Sequence, residues 1–173
     1  DLAGSEPLLP PIPGLRESPI MFPAEDYYLN KDRIGDTCIV LGGGLVGCEM
    51  AVCLARDGKN VHIVEMRSEL CPDANVRYRP LLMAEMAKYN VNIHTDCTCK
   101  SVDGNVVTCE TPTGEKVEIT GDSILCGLGL VPNTAVVEEL RGSAPKFFSI
   151  GNCVKPDTIT HTVYQGYHAA LDI

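Results

Sequence analysis

The feature that most constrains this chain is a short apolar run that ends in glycine. Thr37-Cys38-Ile39-Val40-Leu41 has strand length and β-rich composition, and Gly42-Gly43-Gly44-Leu45-Val46-Gly47 follows it directly. From Leu45 to Asp57 the apolar residues recur at helical spacing, and Gly58 supplies a stop signal. A continuous apolar strand that turns through glycine into a helix predicts a strand buried on both faces of a parallel sheet.

The same alternation continues. Asn60 to Glu65 reads as a second strand, Val76 to Tyr89 as a helix with Leu81, Leu82, Met86 and Tyr89 on one stripe, and Val91 to Thr95 as a third strand. Lys100–Val102, Val106–Glu110 and Lys116–Ile119 are short β-rich pieces separated by Asp103-Gly104-Asn105 and Pro112-Thr113-Gly114, which are hairpin turn signals. Asp122 to Cys126 is a further buried strand and Thr134 to Leu140 a short helix. Phe147 to Ile150 reads as a last strand and Thr158 to Ile173 as a last helix. Residues 5–23 carry six prolines and are expected to be extended and irregular, and Ala24 to Arg33 to form a short helix. Strands alternating with helices imply a Rossmann-like α/β fold, a parallel sheet with right-handed crossovers, into which an antiparallel β-meander is inserted.

The glycine turn carries the chemistry. It is a G-x-G-x-x-G between strand and helix, the context in which that pattern is informative. Gly42 allows the tight turn, Gly44 lets a diphosphate approach the backbone, and Gly47 brings the helix close to the sheet. The candidate binding residues are therefore Gly42, Gly43, Gly44, Leu45, Val46 and Gly47, with the anion on unpaired N–H groups at the positive helix end. Glu65, 18 residues after Gly47, stands where a carboxylate would take the hydroxyls of an adenosine ribose. Its charge disfavours a 2′-phosphate, so NAD is expected over NADP, although Arg67 beside it could accommodate that phosphate. Met66 and Arg67 join Glu65 as candidates. FAD is the rival ligand, since it uses the same turn and acid. Glu49, on the first turn of the helix, suits either the helix dipole or the ligand. His62, His94, His161 and His168 show no partner that would make one of them catalytic, and no catalytic residue is assigned.

Composition excludes several classes. Lys+Arg number 14 and Asp+Glu 23, a net charge of −9, which argues against a nucleic-acid partner or an anionic lipid surface. No run approaches the length of a membrane span, and no basic segment opens the chain as a secretory signal would. The missing initiator Met is expected of a chain processed or cut from something longer. Nine Cys are scattered without a C-x-x-C, so no metal site is expected. They read as small hydrophobes in a reduced, cytoplasmic protein, and a disulfide reductase is disfavoured.

At GGGLVGCE the chain resembles the pyridine-nucleotide–flavin oxidoreductases, whose NAD domain opens with GGGxxGxE. AGSEPLLPPIPG at 3–14 is similar to their linker, DSILCGLGLVPNT at 122–134 to the strand and turn that close their NAD domain, and FFSIGNCVKP at 147–156 to their late flavin motif. GGGLVGCEMAVCLARDGKNVHIVEM, DANVRYRPLLMAEMAKYNVNIHT and GNCVKPDTITHTVYQGYHAALDI together resemble the C-terminal part of NADH:flavin oxidoreductases of the old yellow enzyme type, the 2,4-dienoyl-CoA reductase, enoate reductase and trimethylamine dehydrogenase group.

The resemblance implies an NAD(H)-binding domain at 37–140 flanked by remnants of a FAD-type domain at 1–36 and 141–173. FAD, FMN and an iron–sulfur cluster would then sit in missing flavin domains of a parent polypeptide. Electrons would enter as hydride from NADH and pass through flavin to an enoate- or dienoyl-type substrate, and the chain alone would be inactive. Glu49 and the turn Gly127, Leu128, Gly129 would lie near the nicotinamide. Two departures stand out: only one G-x-G-x-x-G is present, and Asn152 replaces the aspartate of the flavin motif. A nucleotide-sensing or interaction module, or a small flavoprotein holding FAD in the single site, are the alternatives.

Overall fold

The computed structural model describes residues 3–172; Asp1, Leu2 and Ile173 lie outside it. In chain order the strands are β1 (Ser5–Pro7), β2 (Met21–Pro23), β3 (Thr37–Leu41), β4 (Asn60–Val64), β5 (Asn92–His94), β6 (Thr98–Asp103), β7 (Val106–Glu110), β8 (Lys116–Thr120), β9 (Ser123–Cys126) and β10 (Leu130–Pro132). The helices are α1 (Tyr27–Asn30), α2 (Leu45–Arg56), α3 (Tyr78–Lys88), α4 (Thr134–Leu140) and α5 (Ile159–Leu171).

Two units divide the chain. The larger is Leu9–Leu128. Its centre is a five-stranded sheet in the order β2-β9-β3-β4-β5, and every recorded pairing in it is parallel. β3 is buried along its length because both faces are covered, as its unbroken apolar run requires. Cys38 and Val40 point into a core shared with Met50, Ala51 and Leu54 of α2 and Leu82 and Met86 of α3. Ile39 and Leu41 point the other way, with Val64 and Ile124, into a core closed by Val102, Val107 and Ile119. Those last three belong to the antiparallel meander β6-β7-β8. The α/β fold with a parallel sheet and an inserted meander is thus as the sequence implies.

The proline-rich segment departs from the expected irregular chain. It is pinned, with Leu15 fully buried in the meander-side core and the Val102 N–H donating to the Pro13 carbonyl at 2.8 Å. It also contributes β2, whose register Met21↔Ile124 makes it an edge strand of the central sheet. Edge positions tolerate Pro23 because one side of the strand needs no ladder donor. The expected helix at 24–33 is instead a 3₁₀ turn, α1, and a second 3₁₀ turn.

The second unit joins the residues up to Leu8 with those from Gly129 onward. β1 and β10 form an antiparallel ribbon there, with Ser5 opposite Pro132. α4 is where the sequence placed it, and α5 is capped by the Thr158 hydroxyl, which accepts from the His161 N–H at 3.3 Å. Residues 147–150 are not a strand. Ile150 is extended (φ −140°, ψ 158°), but among the described residues no strand pairs with this segment, and β-rich composition alone makes no ladder.

In the five-stranded sheet, His62 on β4 and His94 on the edge strand β5 meet, Nδ1 to Nε2 at 3.0 Å, with stacked rings 5.3 Å apart. Burial lowers both imidazole pKa values, and for His94 the neighbouring His62 adds to it. The fold therefore favours the neutral form of both rings, while the unfolded imidazoles titrate near about 6.5. Stability is full above that value and is lost as pH falls through the depressed folded values, because the unfolded chain takes up protons first. Melting temperature should fall modestly on mild acidification, and a His62→Gln, His94→Gln double variant should flatten that slope in a thermal melt series.

Candidate functional site

The glycine turn is built by backbone meeting backbone. Gly42 has φ +103°, a left-handed conformation, and its N–H donates to the Val64 carbonyl of β4 at 2.9 Å. A Cβ on Gly42 would lie 2.5 Å from the Gly127 carbonyl oxygen, and one on Gly47 would lie 1.9 Å from the Gly42 carbonyl oxygen. Gly42, Gly47 and Gly127 therefore stack with no room for side chains, which sets α2 down on the carboxyl ends of β3 and β9.

Gly44 is different: a Cβ there would meet nothing within 4 Å. The space above it is open, and α2 begins just beyond. Among the described residues, no protein acceptor takes the backbone N–H groups of Gly44, Leu45, Val46 or Gly47. The Leu45 and Val46 side chains are exposed. The Gly47 N–H is buried under the turn, so the open donors at the positive end of this 12-residue helix are those of Gly44, Leu45 and Val46.

Glu65 follows the end of β4 and is 6% exposed. Its Oε2 accepts from the Gly43 N–H at 2.6 Å. Its Oε1 accepts from the Arg67 N–H at 2.9 Å and from Arg67 Nε at 3.3 Å. Arg67 also reaches Asp73 at 3.1 Å, whereas Met66 points away and is exposed. Gly43 is held on its other side by the Cys71 N–H, which donates to its carbonyl at 2.7 Å, and a Cβ there would sit 2.4 Å from Leu70 Cδ2. Sequence reasoning did not find Leu70, Cys71 and Asp73 as supports of the turn. The visible trace of them is an apolar pair, Leu70-Cys71, inside an otherwise polar loop.

The remaining candidates spread out. Glu49 Oε1 accepts from the Tyr78 hydroxyl at 2.9 Å, in a groove of about 470 Å³ between α2 and α3. That bond is the main cause of a raised Tyr78 pKa. Gly127 lies under the turn, Leu128 packs on the meander-side core, and Gly129 opens the other unit. In that unit Asn152 Nδ2 donates to Ser5 Oγ at 3.5 Å and its Oδ1 accepts from the Asp157 N–H at 3.4 Å.

One C-x₄-C does occur, Cys48 and Cys53, and it is no redox pair. Five positions on a helix separate their side chains by roughly 140° around its axis. Cys48 is buried, with its thiol donating to the Gly43 carbonyl at 3.4 Å, and Cys53 faces the groove. Among the described residues no disulfide joins any two cysteines. Among the described residues no group of three or more His, Cys, Asp or Glu is placed to hold a metal, and no helix is long and apolar enough to cross a membrane.

The sequence profile of the pyridine nucleotide-disulphide oxidoreductases matches residues 3–166. The chain belongs to that family. Pyridine nucleotide-disulphide oxidoreductases are redox proteins that use pyridine nucleotide and flavin.

The chain is similar to the bilirubin reductase of Mediterraneibacter gnavus, at 31% identity over 97% of this chain and 26% of that protein. It is also similar to the cinnamate reductase of Clostridium sporogenes, at 29% identity over 88% of this chain and 23% of that protein. Among solved structures it superposes on a 2-naphthoyl-CoA reductase with a TM-score of 0.91 and 26% identity, covering 98% of this chain and 26% of that one. The chain thus spans about a quarter of the length of these relatives.

Proposed function

We propose that this chain is the NADH-binding domain of a larger flavin-dependent reductase of the old yellow enzyme type. The carrying observation is the open Gly44 cradle, with three uncommitted N–H groups, those of Gly44, Leu45 and Val46, at the start of α2 and a buried carboxylate at the end of the next strand. A diphosphate fits there, because Gly44 leaves its approach clear and the amides meet its charge. Glu65 holds the neighbouring ribose. About four acceptor positions exist on a carboxylate and three are taken by Gly43 and Arg67, so it has one left for a hydroxyl.

Held at this turn, NADH would supply hydride chemistry, for which the acceptor would be a flavin in the parent polypeptide. This chain's own part is to fix the dinucleotide at the Gly42–Gly47 turn and to reject a 2′-phosphate with the Glu65 charge. Protein side chains accept no hydride, so the chain alone binds NADH and turns over nothing. Its likeness to bilirubin, cinnamate and 2-naphthoyl-CoA reductases favours a reducible conjugated substrate met elsewhere in the parent polypeptide.

Fluorescence titration of the purified chain tests this. NADH should bind in the micromolar range, about −8 kcal/mol, and NADPH at least tenfold more weakly. No NADH binding would overturn the reading, and a purified protein that retains FAD in place of NADH would overturn it in favour of a small flavoprotein.

A further inference from the structure

Three thiols converge on the meander, away from the glycine turn. Cys99 on β6 stands directly opposite Cys109 on β7 in the antiparallel register, and the β-bulge between Cys99 and Ser101 follows at once. Cys109 is fully buried with the thiols of Cys99 and Cys97 beside it, and the Cys99 thiol donates to the Ser101 carbonyl at 4.0 Å. Cys97 is itself buried, and its N–H is held by the Glu65 carbonyl at 2.9 Å. Cys99 is only half-buried, so it is the member of the cluster that a dissolved reagent reaches.

From this arrangement we infer an oxidisable site: Cys99 and Cys109 form a reversible cross-strand disulfide in response to hydroperoxide. Directly opposed residues of an antiparallel pair have Cα atoms about 4.5–5.5 Å apart, inside the roughly 4.4–6.8 Å that a disulfide spans. No movement of the strands is required.

The chemistry has a direction. The neighbouring Cys109 thiol lowers the Cys99 pKa, while Cys99 beside it, followed by burial, raises that of Cys109. Cys99 is therefore the member of the pair that ionises more readily, and Cys109 the one that keeps its proton. The Cys99 thiolate attacks one peroxide oxygen, the O–O bond breaks, and a sulfenic acid and hydroxide form. The Cys109 sulfur then displaces the sulfenic hydroxyl as water. In sum two thiols and one hydrogen peroxide give one disulfide and two waters, and a dithiol reverses it. Cys38 and Cys126, whose thiols burial pushes up to about 11 and about 12, stay inert.

The test uses the full chain, reduced, exposed to hydrogen peroxide, alkylated and mapped by mass spectrometry without reductant. Trypsin cuts after Lys88, Lys100 and Lys116, so Cys109 falls on peptide 101–116 and Cys97 and Cys99 on 89–100. The expected result is a cross-link between these peptides, placed at Cys99 by fragmentation across Thr98 and removed by dithiothreitol. Cys99→Ser should abolish it, and Cys109→Ser should leave Cys99 as a sulfenic acid that dimedone traps. Recovery of Cys99 and Cys109 as free thiols while Cys53 oxidises would overturn the inference, as would a cross-link made through Cys97 or Cys126. The wild-type map decides the pairing, so a variant that fails to fold does not blunt the test.

Discussion

Gly47→Ala should lose much of the chain's stability, and Gly44→Ala almost none, although the two glycines belong to the same turn. The added methyl of Gly47→Ala falls 1.9 Å from the Gly42 carbonyl oxygen, and the Gly127 backbone packs just below. Neither neighbour is a flexible side chain that can swing aside. Overpacking a core costs about 1–3 kcal/mol where atoms can give. Here the turn itself must open, so at least about 3 kcal/mol is expected, a large part of a domain's 5–15 kcal/mol. Urea denaturation should show the midpoint falling sharply. Gly44→Ala, by contrast, adds its methyl to open space, and exchanging glycine for alanine at a helix N-cap costs under about 1 kcal/mol.

The ligand should respond in the opposite order of cause. The Gly44→Ala methyl occupies the approach to the amide cluster, so a well-folded protein should bind NADH at least tenfold more weakly, about 1.4 kcal/mol. An unchanged midpoint with unchanged NADH affinity in Gly44→Ala would remove the cradle from the binding account. A stable Gly47→Ala would show that the close stack of Gly42, Gly47 and Gly127 is not what seats α2.

The span from Thr37 to Arg56 is legible in the sequence because local rules decide it: an apolar run, a glycine turn and a helical period, each pointing to one structure. The meander is legible for the same reason, since its turn residues sit at hairpin spacing. What stays hidden is decided by partners far away in the chain. β2 is three residues in a proline-rich stretch, and it becomes a strand only because β9 offers it an edge. Phe147 to Ile150 has strand composition, yet among the described residues no strand pairs with it. The site divides likewise. Gly42, Gly44, Gly47 and Glu65 follow from spacing, but the capture of the Glu65 carboxylate by the Gly43 N–H, and the Leu70 and Cys71 loop that closes on Gly43, are tertiary facts. The Cys48–Cys53 spacing shows the converse, since a helix turns a redox-like pattern into two thiols on different faces.

Glu65→Gln should separate the fold from the sugar. The wild-type carboxylate accepts three hydrogen bonds from protein, one from Gly43 and two from Arg67, while 6% exposed. Glutamine keeps one acceptor oxygen and turns an amide N–H₂ toward either Gly43 or Arg67, where a donor then faces a donor. Hydrogen bonds to a charged group are worth about 1.5–3 kcal/mol, so a stability loss of that order is expected on urea denaturation. The position left for the ribose is also weakened, and NADH affinity should drop roughly tenfold, about 1.4 kcal/mol. NADPH should gain relative to NADH, because the like charge that repels its 2′-phosphate is gone and the Arg67 guanidinium, released from Glu65, is free to meet it. Parallel titrations of both nucleotides decide the matter. If NADH affinity survives the change while Gly44→Ala abolishes it, the diphosphate cradle stands and the carboxylate serves only to brace the turn.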